Sequence, residues 1–506
     1  MRAIPERTAV ADETPPAEAI RAALAEIPET VAHDSAEPPR PGHVYVVPGH
    51  EKALNPESPV VVGDRGTGKT FWSAALADPT LREHLIAPQF RRLKLESCDV
   101  SWGHASTPQE GYPSRKNLHH LRGKGWTEED IWRAVILYHL APVTGEPLPG
   151  GQWADRVAFV AKDPEGEERI LRAADEALVA RGKRHMIVFD ALDRLGPDWR
   201  TIRDLVGSLL RVCLDLRGYR AIRPKLFMRP DMWEDRALWT FPDASKLHHG
   251  RVTLEWRSVD LYGLLWHWLA NNEQSGHAFR NWAARAHGVT FKEYWVNGQV
   301  VHETGNELKA DDKRQATLFA YIASPYMGRD RRRGKTYTWV PTHLADAKGR
   351  VSPRSFLIAL RHAQEKTQED GRPGILHYEG IKKGVQEASR IRREELQEDY
   401  PWIDNVLEAL RGTTVPLPEG EAKRRWDTDI KETVLAPARN DRETDNPVPP
   451  HALEGLREED DWADALIEVL VDIGVMYRLS DRRLNIPDLF RIPFGIGRKG
   501  GVKAIR

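Results

Sequence analysis

Gly63-Asp64-Arg65-Gly66-Thr67-Gly68-Lys69-Thr70 puts a lysine and a hydroxyl directly behind a glycine-rich turn, the G-x-x-x-x-G-K-[ST] spacing. The chemistry available to such a stretch is phosphate binding. Glycines let backbone N–H groups close round phosphate oxygens, and the following helix presents its positive end to them. Lys69 would reach the β- and γ-phosphates and the Thr70 hydroxyl would sit on Mg²⁺. The cradle runs from Gly63 to Phe71, where the helix is under way. A glycine loop with a chance lysine is the bland alternative. The context opposes it, because Val60-Val61-Val62 before the loop suits a buried parallel strand and residues 71–77 after it suit a helix.

Two further residues stand at the ends of apolar runs. Residues 184–190 end in Asp190, and in open α/β sheets the ligand crevice lies at the carboxyl ends of the strands. Asp190 therefore faces the phosphates and holds Mg²⁺, directly or through water, as the Walker B acid. Asp193 follows three residues later, with a helix cap for the segment from Leu195 as the bland alternative for it. Residues 224–228 form another buried run, ending in Arg229-Pro230-Asp231. Arg229 is placed there to sense the γ-phosphate, or to pair with Asp231 or Glu234.

The elements that must carry these residues can be read in outline. Residues 90–95 alternate like a half-buried strand, and 99–125 read as a polar inserted loop. Helical patterns cover 128–140, 166–180 (acids early, Arg181 late) and 198–216; 251–256 is a plausible last strand. Strands and helices succeed one another without hairpin signals, which predicts an α/β fold: a P-loop NTPase parallel sheet covered by helices on both faces. The apolar run 44–47 leads into Pro48-Gly49-His50-Glu51, expected to lie against the nucleotide.

Composition sets the frame. A chain of 506 residues exceeds one core, and 40% hydrophobic with 29% charged residues is ordinary for a globular protein. The net charge of −1 excludes a globally basic nucleic-acid coat. Two cysteines, Cys98 and Cys213, give neither a disulfide framework nor a zinc site, which fits a reducing, cytoplasmic setting. The most lipid-like stretch, 261–270, is too short to span a membrane.

On Gly63–Thr70, 187–194 and 225–231 the chain resembles the additional-strand P-loop ATPases, among them the STAND-like and AAA-type orphan ATPases of bacterial conflict systems. The resemblance implies that the strand ending at Arg229 lies between the loop strand and the Asp190 strand. It also implies Asp190 on Mg²⁺, Asp193 polarising the attacking water and Arg229 as sensor. STAND-like members carry an acid after the second aspartate, where this chain has Arg194. That departure points to hydrolysis that is slow, partner-dependent or absent.

The expected domains are a leader (1–42), mostly disordered with one brief helical possibility around 17–27, the ATPase core (43–275), a mainly helical region with a basic loop (276–410), a linker (411–450) and a winged-helix-like module (451–506). Arg329, Arg331, Arg332 and Arg333 lie between Tyr326 and the alternating stretch 336–340. They are either a solvated loop tip or a nucleic-acid contact. Ser352 and Pro353 open a helix as cap and first residue, with Arg354 either a second sensor or a surface charge. Gly495-Ile496-Gly497-Arg498-Lys499-Gly500 matches a dinucleotide fingerprint but has no room after it for a βαβ unit.

The resulting expectation is an ATP- and Mg²⁺-binding switch protein of a bacterial defence or stress system, which hydrolyses ATP. Its expected partners are a second copy of the chain or an effector protein, and no membrane. Two alternatives share the loop: a nucleic-acid-binding regulator acting through the basic loop and C-terminal module, and a small-molecule kinase, for which no short arginine-bearing lid segment follows the core.

Overall fold

Val60–Val62, strand β1, is buried throughout, as a central strand of a parallel sheet must be. It is joined by β2 (Cys98–His104), β3 (Arg184–Phe189), β4 (Ile222–Met228) and β5 (Arg251–Thr253). The order across the sheet is β2-β3-β4-β1-β5 and every pairing is parallel. The strand leading to Arg229 thus lies between the loop strand and the Asp190 strand, as the resemblance implied. This computed structural model describes residues 14–28, 37–145, 148, 150–439, 453, 461–499 and 502–504.

Parallel neighbours cannot be joined by tight turns, so helices make the crossovers and cover both faces. Val60, Val62, Ile187, Phe189 and Leu226 join one apolar cluster, while Val61, Met186, Val188 and Phe227 join another. That division is the two-residue alternation of strands, now with both faces apolar. The helices Glu128–Thr144, Pro164–Ala180 and Trp199–Asp215 start where Thr127, Asp163 and Asp198 accept the N–H of the third residue on.

Several expectations are corrected. Residues 90–95 are not a strand. Lys94 takes a positive φ of 50°, and short 3₁₀ turns, Arg91–Leu93 and Leu95–Ser97, bury Leu93 and Leu95 instead. The true strand is β2, all but its first residue within the stretch 99–125 expected as a loop, which also holds the helix Arg115–Gly123. In the expected leader the helical possibility is realised as Ala17–Ala25, but it is packed rather than loose: it buries Ile20, Ala23 and Leu24, and Trp268 Nε1 donates to the Ala23 carbonyl at 2.7 Å. Residues 1–13 and 29–36 lie outside the described residues.

Beyond the sheet, β6 (Phe291–Val296) and β7 (Gln299–Thr304) form an antiparallel hairpin that the sequence reading did not anticipate. Residues 336–340 belong to the helix Thr336–Leu344. The expected linker is ordered over 411–439: Thr414–Val415 pairs with Gly497–Arg498, and two helices follow, Glu419–Arg425 and Thr428–Arg439. Buried Trp426 donates to the Val406 carbonyl at 3.0 Å, which a solvated linker would not do. The helix Trp462–Asp472 leads into a short hairpin, Tyr477–Arg478 with Leu484–Asn485. The Gly474 carbonyl accepts from the Ala347 N–H at 2.8 Å, so this segment packs on the helical region. No helix among the described residues is long and apolar enough to cross a membrane.

Candidate nucleotide site

The loop after β1 curls because Gly66 and Gly68 adopt φ of 79° and 102°, conformations that side chains resist. At Gly63 the constraint is space, since a Cβ would stand 2.5 Å from Thr67 Oγ1. Gly68 is the N-cap of the helix Lys69–Ala77, so that helix's first N–H groups open into the curl. Trp256 Nε1 pins the loop by donating to the Thr67 carbonyl at 2.9 Å. Lys69 Nζ donates to the carbonyls of Gly63 (2.7 Å) and Asp64 (3.0 Å). Desolvation lowers the Lys69 pKa, with Asp190 acting against it.

Asp190, at the tip of β3, is only 1% exposed. Its carboxylate accepts from Ser73 Oγ at 3.1 Å and from the Thr70 hydroxyl. Burial raises its pKa, opposed by the Thr70 bond, the Ala191 N–H and Lys69. His104, at the end of β2, braces the backbone. Its carbonyl accepts the Asp190 N–H at 2.9 Å, and its Nδ1 lies 2.8 Å from the Asp190 carbonyl. A carbonyl only accepts, so Nδ1 carries the hydrogen. Burial brings the His104 pKa down to about 4, so the ring is neutral near pH 7.

No group of three His, Cys, Asp or Glu suited to a metal occurs among the described residues. One hydroxyl and one carboxylate are what Mg²⁺ takes from a protein when phosphate oxygens and water supply the rest. Thr70 and Asp190 fit that pattern, and Lys69 beside them fits a phosphate.

Five arginines line the same cavity, whose volume is about 540 Å³: Arg40, Arg65, Arg194, Arg229 and Arg354. That size suits a nucleotide. Arg229 Nη1 donates to Asp193 Oδ2 (3.5 Å) and Asp399 Oδ1 (2.9 Å), and Nη2 to Asp231 Oδ2 (2.9 Å). Burial works against its charge, but Asp231 and Asp399 outweigh it and hold the pKa up. Arg229 is therefore both a cavity-lining cation and the partner of Asp231, while Glu234 pairs with Lys348. Asp193 lies in the 3₁₀ turn Leu192–Arg194 and is not a cap; Asp198 caps the helix that follows. Arg65 also donates to Asp399 Oδ1, at 2.9 Å, and to Glu398. Arg354 lines the cavity rather than the surface and donates to Glu395 Oε1 at 2.5 Å. Ser352 Oγ makes no cap and donates instead to the Gly66 carbonyl at 3.2 Å.

The structure brings Lys69, Thr70, Phe71, Asp190, Asp193 and Arg229 to one cavity, which His43, Tyr45 and Trp268 also line. Asp64 turns the other way and pairs with Arg350 at 2.7 Å. Arg329, Arg331, Arg332 and Arg333 do not line the cavity and are exposed. Arg498 is bonded to Asp488 at 3.1 Å, and Gly500 lies outside the described residues. Sequence reasoning missed Asp399, Glu395, Glu398, Ser352 and Arg350. They are hundreds of positions from the loop, and no local pattern marks them.

No protein-family model matches the chain, and no curated protein does. Solved structures give faint likenesses over most of its length. The Aeropyrum pernix ORC2 protein (ADPNP–ADP complexes) shares 14% identity, covering 88% of this chain and 93% of that one, at a TM-score of 0.30. Cdc6p from Pyrobaculum aerophilum shares 11% over 90% and 93%, and the Aeropyrum pernix ORC1 protein in complex with DNA 15% over 92% and 93%, each at 0.28. Likenesses of that strength assign no activity to this chain and no role to its residues. The P-loop character of the core rests on its own strand order and loop geometry.

Proposed function

We propose that the protein is an ATP-binding switch with a slow or partner-dependent ATPase activity. The carrying observation is the convergence of Lys69, Thr70 and Asp190 beneath a left-handed glycine turn at the carboxyl end of a parallel sheet. In this reading Lys69 leaves the loop carbonyls for the phosphates, and Thr70 and Asp190 hold Mg²⁺, which neutralises phosphate charge. Asp193 orients the attacking water, and Arg229 meets the terminal phosphate. Arg194, adjacent to Asp193, supplies no second acid. A role in a bacterial conflict or stress system comes from the motif resemblance alone.

The test is Mg-ATP binding and phosphate release by wild type, Lys69→Ala and Asp193→Asn. Lys69→Ala is expected to weaken ATP binding by at least about tenfold, the worth of one charged hydrogen bond. Asp193→Asn is expected to keep binding and lose turnover. Undiminished ATP binding by Lys69→Ala would sink the proposal.

One observation favours a second, compatible reading. Arg329, Arg331, Arg332, Arg333 and Lys335 are all exposed at one loop tip. Among the described residues the four arginines pair with no acid side chain. Such a tip suits a nucleic-acid backbone.

A further inference from the structure

The helix Tyr378–Asp399 ends in a way that its own electrostatics disfavour. Glu395, Glu398 and Asp399 crowd its last turn, which contains no basic residue. A helix C-terminus is negative and prefers cations there. The three acids, spaced i, i+3 and i+4, share one face of the helix. Most of their compensation comes from the nucleotide cavity: Glu398 takes Arg65, Asp399 takes both Arg65 and Arg229, and Glu395 takes Arg354 beside Arg392 of its own helix. Asp399 Oδ1 accepts from the two guanidinium groups at 2.9 Å each and is 11% exposed. Three of the five arginines that line the cavity, Arg65, Arg229 and Arg354, are thus held by the end of one helix.

We infer that Glu395, Glu398 and Asp399 are an internal stand-in for a terminal phosphate, so that a triphosphate releases the end of this helix and a diphosphate leaves it docked. The inference rests on the nucleotide reading above and adds its regulation. Guanidinium forks take carboxylate and phosphate with the same geometry, so one group can replace the other. A γ-phosphate reaching Arg229 would also lie beside Asp399, and like charges cannot share so enclosed a place. Once the arginines turn to the phosphate, the helix end keeps Glu398 and Asp399 unpaired against its own dipole, with Arg392 left to Glu395 alone, and loses its reason to stay. Linkage makes the effect reciprocal: what favours the undocked helix also favours ATP. A diphosphate ends short of the strand tip and leaves Arg229 with Asp399.

The experiment is titration of full-length protein with fluorescent ATP and ADP analogues in Mg²⁺, for wild type, Asp399→Asn, Glu398→Gln and Lys69→Ala. Asp399→Asn is expected to bind ATP about tenfold more tightly, within the usual span of coupling energies, while ADP changes by less than about twofold. Glu398→Gln, altering a more exposed carboxylate, should shift the ATP-to-ADP ratio in the same direction by less. It also keeps the question answerable if Asp399→Asn does not fold. On the wild type, amide exchange at residues 395–400 should quicken with a non-hydrolysable ATP analogue and not with ADP. An unchanged or reduced ATP-to-ADP ratio in the folded variants, or equal exchange with both nucleotides, overturns the inference. Undiminished binding by Lys69→Ala overturns the nucleotide reading instead, so the two failures are distinguishable.

Discussion

Lys225 shows how far a single residue can depart from its ordinary chemistry in this sheet. It sits in β4 with no exposed surface, and its ammonium donates to the carbonyls of Asn55 and Ser58, each at 2.9 Å. Burial lowers its pKa to about 7, with Cys98 and Glu57 opposing. The unfolded chain keeps this proton up to about pH 10.4, so between pH 7 and 10 the unfolded state binds more protons and stability rises with pH. Below pH 7 both states are protonated and the burial cost is borne in full. From pH 7 to 9, the wild type's melting temperature should gain on that of Lys225→Met by several degrees, or about 2 kcal/mol. Melting curves that move in parallel with pH would show that the ammonium is not desolvated as described. At the same scale, Arg229 answers an either-or reading of its sequence with both roles. It pairs with Asp231 and faces the cavity, because a guanidinium has five donors to distribute.

At the scale of elements, the helix that ends at Asp399 is held in place by two glycines. Gly380 and Gly384 are four apart and face the helix Pro353–Glu369. A Cβ at Gly384 would stand 2.1 Å from the Ala359 carbonyl oxygen, and one at Gly380 2.3 Å from Thr367 Oγ1. Gly384→Ala should therefore destabilise the protein. Overpacking against backbone costs about 1–3 kcal/mol, which outweighs the roughly 1 kcal/mol of helix propensity gained. The measurement is a urea midpoint, and a rise would show that the two helices can separate freely. The β6–β7 hairpin is an element whose signal was in plain view. Asn297 and Gly298, with φ of 53° and 78°, make the two-residue turn that favours an Asn-Gly pair between strands. It went unrecognised because the stretch around it reads as helical. The strand β2 was hidden differently, since polar residues at an edge strand do not give the apolar run of its neighbours.

The whole molecule carries almost no net charge, yet it collects several cations at one exposed loop tip. If that tip meets a nucleic-acid backbone, log affinity should fall with log salt at about 0.9 per phosphate contacted. Replacing Arg331 and Arg332 by Ala should then flatten the slope by about 2. No retention of DNA or RNA at about 50 mM salt, where such contacts are strongest, would remove this reading. The same scale joins the two halves of the chain, because two of the four variable residues of the phosphate loop, Asp64 and Arg65, are paired beyond position 340. Asp64 meets Arg350, and Arg65 meets Glu398 and Asp399.

The sequence by itself determined the parts whose physics is local. An apolar run, a glycine turn and a helix start lie within a dozen residues around Lys69, and the runs ending at Asp190 and Arg229 are equally short. Short apolar runs, the glycine turn and the succession of strands and helices therefore revealed the parallel α/β core and its strand-tip residues. Tertiary structure alone decided what those residues face. Asp399 lies 334 positions from Arg65, and Arg354 lies 41 from Glu395. An ion pair leaves no periodicity in the sequence, because any acid brought to the cavity by any helix would serve. The pairing depends on where helices pack after the chain folds, which is why the cavity's anionic wall was invisible until the fold was seen.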